Sequence, residues 1–180
     1  MRAPLPTGSE NILVVRTHYS DDAAWRELRR LMTSPAELFP PEQDFLQLRT
    51  VPVDPAWEHT KQGLAQYRAE QHENIEAVDD PSWEGASAAE VRAALADSEL
   101  CVAFLADAVT MAAPGRWPML AVDLTPADGE EGEPGEFRLH PDMLHYIHVN
   151  MEVGNMYFSD YEYATADAPV RFGDLAPPRG

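Results

Sequence analysis

The chain predicts a single α/β domain. Its sheet is expected to be mixed, of five or six strands, parallel in its first part and closed by an antiparallel hairpin near the C-terminus. Helices are expected on both faces. Two observations carry this. Short apolar runs alternate with helix-length stretches, the rhythm of strand–helix units. Four of those runs stop on an aspartate, at Val53-Asp54, Val78-Asp79, Ala106-Asp107 and Val122-Asp123. Parallel strands would gather those acids along one edge of the sheet, the edge where open α/β sheets bind ligands. A length of 180 residues suits one domain with a core large enough to need no staples.

The elements follow in order. Residues 1–10, with Pro4, Pro6 and Gly8, read as a flexible leader, residues 11–176 as the domain and 177–180 as a flexible tail. Asn11 to Thr17 is a continuous apolar run, the pattern of a strand covered on both faces. Ser20 offers an N-cap, with Asp21 and Asp22 in the first turn of a helix whose Trp25, Leu28, Leu31 and Met32 face the sheet. Phe45 to Val53 is a strand whose Pro52 suits an edge or an end, and Trp57 to His72 a mostly polar helix. Asn74 to Asp79 is the next strand. Ser87 and Glu90 then form a capping box ahead of Val91 and Leu95.

Leu100 to Asp107 and Pro118 to Leu124 are further strands. Pro126 to Gly135 is an acidic loop with Glu130, Glu131 and Glu133, and Glu136 to His140 returns antiparallel. Pro141 opens a last helix with Leu144, Ile147 and Met151 inward, ending near Gly154. The tail, with Tyr157, Phe158, Tyr161, Tyr163 and Phe172, is expected to fold back onto the core. One internal echo stands out: Val53-Asp54-Pro55-Ala56-Trp57-Glu58 resembles Val78-Asp79-Asp80-Pro81-Ser82-Trp83-Glu84. Duplication is one reading, and two separately arising Asp-Pro turns the other.

Charge and composition remove several functional classes. Thirteen basic against 31 acidic residues leave a net charge of −18. That repels nucleic acid and anionic lipid and attracts basic partners. Lys61 is the single lysine, so no P-loop is possible and Schiff-base chemistry has one poor candidate. Cys101 is the single cysteine, which excludes an internal disulfide and a Cys-rich zinc site. It opens a buried strand, the place of a structural thiol. No Gly-x-Ser-x-Gly elbow and no glycine-rich dinucleotide fingerprint is present, and no cofactor is expected. Neither a signal peptide nor an apolar run of about 18 residues is found, so the expected compartment is the cytoplasm.

The candidate sites are therefore carboxylates and histidines. Asp54, Asp79, Asp80, Asp107, Glu130, Glu131 and Glu133 would form a contact surface for a basic protein or peptide. The function expected first is a non-catalytic acidic binding protein of the immunity or accessory type. The alternative is a small tailoring or metal-assisted hydrolytic enzyme, with His18, Asp79, Asp107 and Asp123 together at the strand ends as acid, base or cation ligands. His145, His148 and Glu152 share a face of the last helix, with His140 just before it, a spacing able to hold a transition metal.

Several stretches together resemble an uncharacterised family of small bacterial domains. They are Leu13-Val14-Val15-Arg16-Thr17 with Ser20-Asp21-Asp22-Ala23-Ala24-Trp25, then Val78-Asp79-Asp80-Pro81-Ser82-Trp83, Ala121-Val122-Asp123-Leu124, and Asn155-Met156 with Phe158. The departures are an apparent insertion around 36–74, a tail without the family's acidic final helix, and His18 in place of an acidic residue. The resemblance implies a compact α/β domain of the bacterial cytoplasm and no activity.

Overall fold

The computed structural model describes residues 2–8, 10–33, 74–125, 135–161 and 163–171. Five strands form one sheet: β1 (Ile12–Arg16), β2 (Ile75–Val78), β3 (Val102–Ala106), β4 (Met119–Asp123) and β5 (Glu136–Leu139), in the order β2-β1-β3-β4-β5. β1 runs parallel to both β2 and β3, whereas β4 is antiparallel to β3 and to β5. The sheet is thus mixed, parallel in its first part and closed by the β4–β5 hairpin, as the chain predicts. The expected strand at 45–53, the helix at 57–72, the hairpin tip at 126–134 and the tail from 177 lie outside the described residues.

Strand direction decides the acidic edge. β1, β2, β3 and β5 all finish on one side of the sheet, but β4 begins there and carries Asp123 to the opposite side. Asp123 therefore leaves the proposed cluster with Asp79 and Asp107. It instead accepts from the backbone N–H of Thr125 at 2.9 Å, closing a turn at the far edge.

Each face of the sheet has its own apolar layer, because alternate residues of a strand point to opposite sides. Ile12 and Val14 face one cluster with Trp25 and Leu28 of α1 (Asp22–Met32), and Leu144 and Ile147 of a C-terminal helix lie in the same cluster. Leu13 and Val15 face the other, with Val91 of α2 (Ala88–Ala94) and Trp83. That double coverage is why Ile12 to Val15 of β1 are apolar without a break. A short α3 (Ala108–Met111) follows β3, and the C-terminal helix is α4 (Leu144–Glu152), entered through a 3₁₀ turn at Pro141–Met143. Among the described residues no helix is long and apolar enough to cross a membrane.

Local chemistry sets the helix ends. The α2 capping box forms in full, with the Ser87 N–H on Glu90 at 2.9 Å and the Glu90 N–H on Ser87 Oγ at 3.3 Å. α4 stops at Gly154, whose φ of +68° suits a residue without a Cβ. α1 departs from expectation by one position. Asp21, not Ser20, is the N-cap, accepting from the N–H groups of Ala23 and Ala24 at 2.9 and 2.8 Å. Ser20 Oγ turns back to His18 Nε2. An ionised carboxylate accepts from two helix donors at once, which a hydroxyl does less well.

The described part of the tail returns to the core as expected, whereas Phe172 lies outside the described residues. Phe158 and Tyr161 are buried with ring centroids 5.2 and 5.0 Å from Phe137, and Val170 bridges to Leu139 of β5. Tyr157 and Tyr163 stay exposed. The expected flexible leader is anchored over its described residues 2–8. The Ala3 N–H donates to Ser82 Oγ at 2.9 Å, and Trp83 Nε1 donates to the Ala3 carbonyl at 3.1 Å. Leu5 is buried in the α2-side core, and Arg2 lies over the Trp83 ring while pairing with Glu90 at 2.8 Å. The prolines that read as loose chain leave few backbone donors to satisfy, so an extended strap can lie on Trp83.

That strap makes a prediction. The hydrogen bonds from Arg2, and then those from Ser87, lower the Glu90 carboxyl to about 2. In Arg2→Ala it should return part of the way toward the ordinary carboxylate range, read by carboxyl-carbon NMR against pH. An unchanged midpoint would mean that Arg2 does not hold Glu90 in solution.

Candidate functional site

The edge shared by β1, β2 and β3 holds a cleft of about 500 Å³, lined by Arg16, Tyr19, Asp22, Trp25, Asp79 and Pro81, with Arg26 at its side. Three local structures assemble it. β1 ends on Arg16, α1 begins at Asp22, and β2 runs into Asp79 and the Asp80-capped turn Pro81–Trp83. The backbone N–H of Gly85 donates to the Thr17 carbonyl at 2.8 Å, tying the far end of that turn to the exit of β1.

Arg16 is the centre. Its side chain is only 4% exposed, although it is charged and ends an apolar strand. Nε donates to the His18 carbonyl at 3.0 Å, Nη1 to Asp79 Oδ1 at 3.2 Å and Nη2 to Asp22 Oδ1 at 2.6 Å. The Tyr19 ring covers the guanidinium at 4.2 Å and Trp25 lies 5.5 Å away. Burial works against this charge, but the bonds to Asp22 and Asp79 outweigh it and raise the pKa of the group. Asp79 is fixed from a second side, because its Oδ2 accepts from Trp25 Nε1 at 2.8 Å. The carboxylates remain accessible all the same, at 76% for Asp22 and 36% for Asp79.

Tyr19 registers the field of this edge. Burial, and then the charges of Asp79, Asp80 and Glu84 against the opposing effect of Arg16, push its phenol up to about 12. Its hydroxyl oxygen is buried and has no hydrogen-bond partner among the described residues.

The other candidate acids are engaged in turns and pairs. Asp80 accepts from the Ser82 N–H at 2.8 Å, which lowers its carboxyl below the ordinary value. Asp107 lies farther along the same edge, where it caps α3 through the Thr110 N–H at 2.9 Å and forms a two-pronged pair with Arg138 at 2.8 and 2.7 Å. Burial pushes that carboxyl up, but the Arg138 and Thr110 bonds prevail and its pKa is lowered. A carboxylate so held is poorly suited to exchanging protons near neutrality. His18 contributes its backbone carbonyl to Arg16 and places its ring on Ser20. Asp54, Glu130, Glu131 and Glu133 lie outside the described residues.

His145, His148 and Glu152 line a separate cavity of about 210 Å³ with Glu10, Ile12 and Asn74, where β1 and β2 begin. His148 Nε2 lies 3.4 Å from Glu152. Among the described residues no group of three or more His, Cys, Asp or Glu side chains is arranged to hold a metal ion. Helical spacing put these three on one face, but it did not converge their donor atoms. His140 pairs instead with Asp142, 3.1 Å away and buried.

Sequence reasoning passed over Arg16, Tyr19 and Trp25. Arg16 did leave a signal. It is a charge within Leu13-Val14-Val15-Arg16-Thr17, a run that otherwise reads as buried on both faces, and a buried charge needs partners.

Fold and cleft define a mixed α/β domain with a cleft of charged and aromatic side chains at the carboxyl ends of its parallel strands. The chain belongs to the family described as a domain of unknown function (DUF6924), whose model matches residues 11–62 and 44–172. The two matches overlap across Val53-Asp54-Pro55-Ala56-Trp57, the first half of the internal echo. No curated protein and no solved structure matches the chain.

Proposed function

We propose that this chain is a non-catalytic binding domain for a basic protein or peptide, acting as an immunity or accessory factor in a bacterial cytoplasm. One observation carries the reading: accessible carboxylates of Asp22 and Asp79 stand at a cleft on the ligand-binding edge, in a chain of net charge −18. Asp80 and Glu84 act on the same edge through their charge on Tyr19. The resemblance to small bacterial domains supports the setting. The enzymatic alternative required His18, Asp79, Asp107 and Asp123 side by side, and β4 carries Asp123 away from the other three.

Fluorescence anisotropy with a labelled octapeptide of mixed Arg and Lys tests this. Binding at low salt should weaken steeply as ionic strength rises, because exposed charges lose reach as the Debye length falls from about 30 Å at 0.01 M to about 8 Å at 0.15 M. Absence of binding at the lowest salt, or binding indifferent to salt, would count against the proposal.

A further inference from the structure

Resting on that binding reading, we infer that the cleft receives an arginine side chain of the basic partner, in preference to lysine. The cleft already solves the same recognition problem once. Arg16 is held with carboxylates at its nitrogen atoms and an aromatic ring over its plane, the two modes in which a guanidinium differs from an ammonium.

The acceptors for a second guanidinium are in place. Asp79 is oriented from both oxygens, by Arg16 on Oδ1 and by the Trp25 indole on Oδ2, and each oxygen keeps a further lone pair. Little ordering of that carboxylate remains to be done when a ligand arrives. Asp22, bonded through Oδ1, is largely open to solvent. Carboxylates fixed in this way suit a planar fork of N–H donors.

Arg26 and Arg16 also face the cleft, so attraction to positive charge in general is partly cancelled there. What remains is directed bonding and contact with the half-buried Tyr19 and the exposed Pro81. A weakly hydrated guanidinium gains from both, whereas a strongly hydrated ammonium gains less.

The test compares labelled octa-arginine with octa-lysine at one ionic strength, on the wild-type chain and on Asp22→Asn and Asp79→Asn. Asp22 is mostly exposed, so its variant keeps the fold even if Asp79→Asn loosens it. Octa-arginine should bind roughly tenfold or more tightly than octa-lysine, as directed pairing adds to bulk charge. Asp22→Asn should shrink that ratio to a few-fold, weakening octa-arginine much more than octa-lysine, which loses only one exposed charge's attraction. Equal affinity for the two peptides, or a preference that Asp22→Asn leaves intact, overturns the arginine assignment while the acidic binding function stands. Failure of both peptides to bind at low salt removes the binding function as well.

Discussion

Arg16→Met should lower the unfolding free energy by about 2–4 kcal/mol, read as a reduced urea midpoint at an unchanged slope. The guanidinium donates to three acceptors from a side chain that is 4% exposed. Methionine fills part of the volume but leaves the His18 carbonyl and Asp79 short of a donor. Removing one partner of a fully buried pair costs about 3–5 kcal/mol. The expected loss is smaller because Asp22 and Asp79 are 76% and 36% exposed and can be rehydrated. Arg16→Lys should recover only part of it, since one ammonium on a flexible stem cannot reproduce the planar fork. A change below about 1 kcal/mol for Arg16→Met would show that the cluster contributes little to folding.

Asp107→Asn should cost about 3–5 kcal/mol, the largest loss expected from an acidic residue among the described ones. Two effects add. The bidentate pair with Arg138 joins the end of β3 to β5, with side chains only 21% and 15% exposed. The same carboxylate caps α3 through the Thr110 N–H and accepts from Thr110 Oγ1 at 3.0 Å. Asparagine keeps one acceptor oxygen for the cap, yet it leaves the Arg138 charge with only the Pro118 carbonyl at 2.9 Å among its observed partners.

A pH signature accompanies that loss. The Asp107 carboxyl is lowered in the folded state, so its contribution is fully present above the unfolded aspartate value of about 3.9 and is lost as pH falls through the lower folded value. Urea titrations between neutral pH and strong acid should therefore show a smaller drop in Asp107→Asn than in the wild type, the difference being the share of this carboxylate. Parallel pH curves for the two chains would contradict the assignment.

Much of the architecture was legible because it rests on local chemistry. β3 shows itself as a short run without polar interruption and β1 as an apolar run closed by one charge, Arg16, the Ser87–Glu90 box marks the start of α2, and Pro141 and Gly154 bracket the last helix. Each of these depends on residues a few positions apart. Asp21 displaced Ser20 as a cap for a reason almost as local, the stronger acceptor one residue on. The leader was harder to read. Its prolines and glycine resemble free chain until Ser82 and Trp83, some eighty positions away, are brought beneath Ala3.

The candidate site divides in the same way. From the sequence came the acidic excess, the apolar runs that stop on aspartate, and thus the expectation of a working edge at the strand ends. Which aspartates share that edge depended on the direction of β4, and direction is a property of pairing between distant segments, not of any one segment. Tertiary structure alone decided that Asp123 lies apart, that Asp107 is taken up by Arg138, and that Arg16 draws Asp22 and Asp79 into one cleft. A charged side chain is buried only where partners meet it, and those partners come from the start of a helix and the end of a different strand.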